Sequence, residues 1–110
     1  MFQKDNAFSI RLAESIRIRN KYPDRIPVVI QPDFRISISK KKYLVSYDMT
    51  MGQFIYFIRS RIKLESHQSI VLLINDTVPS SSEIINIIYN RHKQKDGFLY
   101  INICLENIFG

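Results

Sequence analysis

The sequence contains one cysteine, Cys104, and no tryptophan. A lone thiol excludes an intrachain disulfide and any cysteine cluster for zinc, and it fits a reducing cytosolic setting. Glycine and proline are sparse, at 3 and 4 of 110 residues, so neither a low-complexity nor a disordered chain is expected. Gly52, Gly97 and Gly110 lie too far apart to form a phosphate-cradling loop. The longest apolar run, Ile70 to Ile74, falls far short of the ~20 residues of a membrane-spanning helix. The N-terminus lacks the basic-then-apolar pattern of a secretion signal. Acidic residues are outnumbered 10 to 16 by lysine and arginine, and the resulting charge of +6 admits nucleic acid, anionic lipid or acidic peptide as partners. His67 and His92 have no carboxylate or cysteine at ligand spacing and read as solvated. Cys104 reads as a small hydrophobe in a half-buried strand, so no catalytic constellation, metal site or cofactor is expected.

What is present is enough apolar residue, 45% of the chain, for one domain with one core. Phe8, Leu12 and Ile16 recur once per helical turn and predict an amphipathic helix over 8–19, N-capped by Asp5 or Asn6, with Arg11, Arg17 and Arg19 facing solvent. Tyr22-Pro23 ends it. "RIPVVI" (25–30) is β-branched and reads as a strand, with Pro27 restricting it to an edge or a strand beginning. Residues 32–47 alternate through Ile36 and Ile38, break at the lysines and resume as "KYLV", a hairpin-like connection into a second strand. Thr50 and Gln53 have capping-box spacing, and Phe54, Phe57, Ile58 and Ile62 continue one helical face over 51–62. "SIVLLI" (69–74) reads as a central strand covered on both faces. Ser80 and Glu83 repeat the capping-box spacing before a short helix reaching about Arg91. Asp96-Gly97 then turns into a last strand, "FLYINICL" (98–105). This order predicts an α+β fold, a ubiquitin-like β-grasp with a four-stranded mixed sheet and an N-terminal helical extension.

The residues "KYPDRIPVVI" (21–30), "KKKYLV" (40–45), "MTMGQFIYFIRSRIKL" (49–64), "DGFLY" (96–100) and the closing "FG" appear in one collinear order over nearly the whole chain. In them the sequence resembles the GABARAP family of ubiquitin-like autophagy modifiers. The resemblance implies a helical extension at 1–24, a β-grasp domain at 25–105 and a flexible conjugation tail at 106–110. It implies that Gly110, preceded by Phe109, is joined to the amino headgroup of phosphatidylethanolamine by activating and conjugating enzymes, and that a cysteine protease serves processing or deconjugation. A residue without Cβ suits a carboxylate that must thread narrow active sites. The domain itself is expected to catalyse nothing, and to be cytoplasmic until lipidation brings it to autophagosomal or other organelle membrane.

The resemblance also implies receptors with aromatic-x-x-aliphatic motifs that add a strand to "KKKYLV". It assigns the aromatic pocket to Glu14, Ile18, Pro27, Lys42, Leu44 and Phe98. It assigns the aliphatic pocket to Tyr43, Val45, Met49, Phe54, Phe57 and Ile58. Arg25, Lys42 and Arg61 are the cations expected to attract acidic residues flanking such motifs. Ser46 stands where the family commonly has proline, and "NRHKQK" (90–95) is basic where relatives are often acidic.

Two other functions fit parts of the sequence. A related modifier would be joined to a protein lysine instead of a lipid. A small basic RNA-binding domain would use the positive charge with Phe34, Tyr43 and Tyr56, although no nucleic-acid partner is expected. Arg11, Arg17, Arg19 and Lys21 would further hold the first helix near anionic lipid.

Overall fold

The computed structural model describes residues 2–107, in the order α1 (Phe2–Asp5), α2 (Phe8–Lys21), β1 (Arg25–Pro32), β2 (Lys42–Ser46), α3 (Met51–Arg59), β3 (Gln68–Leu73), α4 (Ile85–His92) and β4 (Leu99–Asn107). The four strands form one mixed sheet in the order β2-β1-β4-β3. β1 pairs antiparallel with β2 and parallel with β4, and β3 pairs antiparallel with β4. This is the expected ubiquitin-like β-grasp with helices at its N-terminus.

Side-chain alternation along the two inner strands builds two cores. Ile26, Val28 and Ile30 of β1, with Leu99, Ile101 and Ile103 of β4, point to one face and pack with Phe54 and Ile58 of α3 and Ile85 and Ile88 of α4. Val29 and Tyr100 point to the other face and join Phe98 in a small cluster, against which Phe2 and Ile18 pack. Burial on both faces explains the unbroken apolar runs of β1 and early β4.

Pro27 stands neither at an edge nor at the beginning of its strand, being the third residue of the interior strand β1, yet it does not disrupt it. Tyr47 N donates to Asp24 O and Ile30 N donates to Lys41 O, so the alternating antiparallel pattern leaves Pro27 and Leu44 as a pair that exchanges no hydrogen bond. The ladder to β4 starts one residue later, at Val28.

The capping box on α3 is fully formed. Gln53 N donates to Thr50 Oγ1 at 3.2 Å and Thr50 N donates to Gln53 Oε1 at 2.9 Å. α3 stops at Arg59, short of the expected 62, yet Ile62 remains buried beyond its end.

Several expectations are corrected. The inward face of α2 is not the Phe8, Leu12, Ile16 stripe, since Phe8 is 47% and Ile16 51% exposed. The helix instead turns Arg11, Ser15 and Ile18 inward, because Ser15 Oγ donates to Asp96 O at 2.5 Å and Arg11 Nε donates to Asp96 Oδ2 at 3.0 Å. The N-cap is Ala7, with no side-chain bond, and Asn6 Nδ2 donates back to Phe2 O. "SIVLLI" is an edge strand rather than a central one: Ile70 and Leu72 are buried, whereas Val71 and Leu73 are half-buried because α2 lies across β1. Ser80 and Glu83 close a turn, with Ser80 N donating to Glu83 Oε2, while α4 begins later with Ile84 as its cap. His67 Nε2 lies 3.4 Å from Glu65 Oε2, a carboxylate neighbour not expected from the sequence. β4 continues to Asn107, so Glu106 and Asn107 belong to the sheet and not to a tail beginning at 106; Ile108, Phe109 and Gly110 lie outside the described residues.

Candidate functional site

Among the described residues β2 has a strand neighbour on one side only, so its other edge is open. The hydrogen-bonding alternation that joins Tyr43 and Val45 to β1 leaves the backbone N–H and C=O groups of Lys42 and Leu44 and the N–H of Ser46 directed at that open edge, while Ser46 O accepts from Met49 N in the following turn. The side chains alternate as well. Tyr43 and Val45 turn into the main core, whereas Lys42 and Leu44 are exposed on the side of α2. An extended peptide laid along this edge would find unpaired backbone groups and a different surface on each face.

The residues expected at the aromatic pocket come together beside α2. Lys42 Nζ donates to Glu14 Oε1 at 2.8 Å, Pro27 lies opposite Leu44, and Ile18 packs against the Val29, Phe98, Tyr100 cluster, in which Phe98 is 1% exposed. One further residue is present that the sequence did not indicate. The Phe2 ring meets Phe98 edge-on, with centroids 5.1 Å apart at 77°, and Lys42 Nζ lies 5.0 Å from the Phe2 centroid. A hollow of about 570 Å³ opens next to them, lined by Phe2, Val29 and Lys42 with residues 30–32 and 39–41.

A second hollow, of about 580 Å³, opens on the α3 side between Ile38, Lys40, Tyr43, Leu44, Phe57 and Arg61. Tyr43 and Phe57 meet edge-on at 5.5 Å, the Arg61 guanidinium sits 4.9 Å from the Phe57 centroid, and Lys40 Nζ sits 5.2 Å from that of Tyr43. Burial pushes the Tyr43 phenol above its ordinary value, with Arg61 opposing, so it stays neutral. Of the residues expected at the aliphatic pocket, Tyr43 and Phe57 line this hollow. Val45, Phe54 and Ile58 are buried in the core beneath, and Met49 packs half-buried against that core. Leu44, whose side chain turns to the α2 side, also borders the second hollow at the strand edge.

The cations divide in a way the sequence did not show. Arg61 and Lys40 flank the second hollow, whereas Arg25 lies at the far end of β2, opposite Ser46. Lys40 borders both hollows; its signal in the sequence was the lysine run leading into an edge strand. Phe2 left no comparable signal, because its place depends on the chain folding back over β4.

The alternative surfaces are dispersed. Tyr43 is buried, while Phe34 is 93% exposed in the loop after β1 and Tyr56 is 78% exposed on α3, so the three aromatics form no common stacking platform. On α2, Arg11 is engaged by Asp96, and Arg19 Nη1 donates to Arg25 O while its guanidinium covers Tyr89. Arg17 and Lys21 remain as its exposed cations. Among the described residues no group of three or more His, Cys, Asp or Glu is placed to hold a metal, and no helix is long and apolar enough to cross a membrane.

Comparisons with known proteins agree with this architecture. The family model described as "Autophagy protein Atg8 ubiquitin like" matches residues 10–110. Autophagy-related protein 8 of Schizosaccharomyces pombe is 47% identical over 112 residues, covering 99% of this chain and 93% of the relative. Autophagy-related protein 8e of Arabidopsis thaliana is 46% identical, covering 100% of this chain and 93% of the relative. The crystal structure of Trypanosoma brucei ATG8 superposes with a TM-score of 0.85 at 33% identity, covering 99% of this chain and 97% of that one. Plasmodium falciparum Atg8, solved in complex with a P. falciparum Atg3 peptide, also gives 0.85 at 33% identity, with 94% of each chain covered. These relatives support the wider Atg8 family rather than the GABARAP branch in particular. With a matching family model over residues 10–110 and relatives of near-equal length at 46–47% identity, the chain belongs to the Atg8 family of ubiquitin-like autophagy proteins.

Proposed function

We propose that this protein is an autophagy modifier of GABARAP type, conjugated through the Gly110 carboxyl to the amine of phosphatidylethanolamine, which recruits receptors carrying aromatic-x-x-aliphatic motifs. The observation that carries the receptor half is the open edge of β2 with a hollow on either face. Strand addition supplies affinity through Lys42, Leu44 and Ser46, and the two hollows select alternate side chains of the peptide. Glu14, Ile18, Lys42 and Phe98 serve the aromatic side; Tyr43, Phe57 and Arg61 serve the aliphatic side and its acidic flank. The Plasmodium relative's Atg3 peptide supports a peptide ligand for this chain.

The conjugation half rests on family membership and on Gly110. ATP activates the carboxyl and the enzymes carry it as a thioester. The headgroup nitrogen then attacks the carboxyl carbon, the C–S bond breaks, and the enzyme thiol leaves with the amine's proton. An amide remains, so the domain acts as substrate and adaptor rather than catalyst. Lipidation then moves a cytoplasmic protein to the autophagosomal membrane.

The test is incubation of the chain and a Gly110→Ala control with matched activating and conjugating enzymes, ATP and phosphatidylethanolamine vesicles, read by intact mass. A lipid adduct on the glycine form alone is the expected result. A mass increase matching a protein acceptor would assign conjugation to a lysine, and no adduct from enzymes active on another modifier would overturn conjugation.

A further inference from the structure

The side of the groove assigned to an incoming aromatic already holds one, from the chain itself. Phe2 meets the edge of Phe98 at 5.1 Å, packs with Ile18 against the Val29, Phe98, Tyr100 cluster and lies beneath Lys42 Nζ at 5.0 Å. Apolar contact, an aromatic edge and a cation over a ring are the interactions a receptor's aromatic side chain would use there.

A second set of contacts fixes the segment that carries this ring. α1 has four residues, too few to be stable by its own hydrogen bonds. Arg11 Nη1 donates to Gln3 O at 3.0 Å and to Asn6 O at 2.7 Å, holding α1 from below. Nε of the same guanidinium donates to Asp96 at 3.0 Å, and Asp96, 1% exposed, is held in turn by the Tyr100 hydroxyl and the Phe98 N–H. A buried carboxylate therefore anchors Arg11, and Arg11 anchors α1. The three Arg11 bonds are all half-buried, but only those to Gln3 O and Asn6 O reach the α1 segment, whereas Asp96 is also held by the buried bonds from Tyr100 and Phe98. α1 can leave while the rest of the latch stays intact.

We propose that Phe2 is a built-in competitor: in the free protein it forms a wall of the aromatic-side hollow and takes up the edge of Phe98 and the Lys42 ammonium, and α1 must release it before a receptor's aromatic residue packs on Phe98 beneath Lys42. This rests on the receptor-binding reading above. A ligand that binds only the open form shows an apparent affinity reduced by the open fraction, and a single aromatic contact of this kind corresponds to about three- to tenfold.

The test uses a labelled peptide with a Trp-x-x-Leu core, mixed with the wild-type chain and with Phe2→Ala. The expected result is about three- to tenfold tighter binding by Phe2→Ala, with an association rate that levels off with peptide concentration in the wild type and rises linearly in the variant. In the wild type, nuclear Overhauser contacts between the Phe2 and Phe98 rings should vanish at saturating peptide, a readout independent of how the variant folds. Persistence of those contacts, or equal or weaker binding by Phe2→Ala, would overturn the competitor while leaving receptor binding in place. Failure of both forms to bind any such peptide would remove the receptor reading and the competitor with it.

Discussion

The Tyr100 hydroxyl donates to the Asp96 carboxylate at 2.5 Å, in a site where Tyr100 is 8% and Asp96 1% exposed. Burial pushes the phenol well above its ordinary value of 10.0, and the hydrogen bond to Asp96 and its negative charge push the same way. An acid raised on folding favours its protonated form in the folded state, so this stabilisation is fully present below pH 10.0 and declines as pH climbs toward the folded value. Tyr100→Phe should lower stability at neutral pH by about 1–3 kcal/mol, since it removes one partner of a buried carboxylate. It should also lose less on going to about pH 11 than the wild type does. Burial raises Tyr43 and Tyr89 too, so some alkaline loss should remain. Urea denaturation at both pH values checks this, and an unchanged alkaline loss would exclude Tyr100 as its source.

The turn before β4 has no room for a side chain at Gly97. Its φ is +86°, a left-handed value, and an added Cβ would fall against Ser15 Oγ. Three contacts fix the backbone there: Gly97 N donates to Gln94 O, Gln94 N to Phe98 O, and the Tyr89 hydroxyl to Gly97 O at 2.6 Å. Gly97→Ala should cost about 1–3 kcal/mol from backbone strain, with the collision adding to it. Ser15→Ala in the same chain removes the colliding oxygen but leaves the strain and also loses the Ser15 Oγ bond to Asp96 O. Measured against Ser15→Ala alone, Gly97→Ala should therefore cost less than it does in the wild type but not nothing. A thermal-melting comparison of the single and double variants separates the two causes.

The α3 cap offers a local test. Thr50 Oγ1 accepts from Gln53 N, so Thr50→Ala should lower stability by about 1 kcal/mol, whereas Thr50→Ser should be nearly neutral. Chemical denaturation of both variants checks it, and equal losses would assign the cost to the lost methyl group rather than to the cap.

Features that depend on a few neighbouring residues could be read directly. The capping box needs only Thr50 and Gln53, and the last turn needs Asp96 and Gly97. The strand order could not be read in this way, because whether "SIVLLI" lies inside or at the edge depends on where β4 returns. The α2 face failed for a related reason: Phe8, Leu12 and Ile16 have helical spacing, but Asp96, 85 positions beyond Arg11, decides which side turns inward. At the groove, Glu14 pairs with Lys42 and Ile18 packs against the cluster that holds Phe98, residues the resemblance had assigned to one pocket. The resemblance did not reveal that Val45, Phe54 and Ile58 are sealed in the core, or that Phe2 folds onto Phe98.

Leu44 tests the groove with little risk to the fold. It is 41% exposed, its side chain alternates to the α2 side of β2 while the residue borders the second hollow, and its backbone faces the open edge of β2. Leu44→Arg puts a guanidinium where a peptide's apolar side chain would pack, and burying that charge without a partner is strongly unfavourable. Affinity for an aromatic-x-x-aliphatic peptide should fall at least about tenfold, the equivalent of losing one well-packed apolar contact, while the melting temperature stays close to wild type. Arg61→Gln should act differently. Arg61 lies beside Phe57 at the rim, so a peptide with acidic flanking residues should lose only severalfold in affinity, mostly in association rate and mostly at low salt. Calorimetry at two salt concentrations distinguishes them: the Leu44→Arg loss should persist at high salt and the Arg61→Gln loss should shrink. If Leu44→Arg folds normally and binds as the wild type does, the peptide lies elsewhere than along β2.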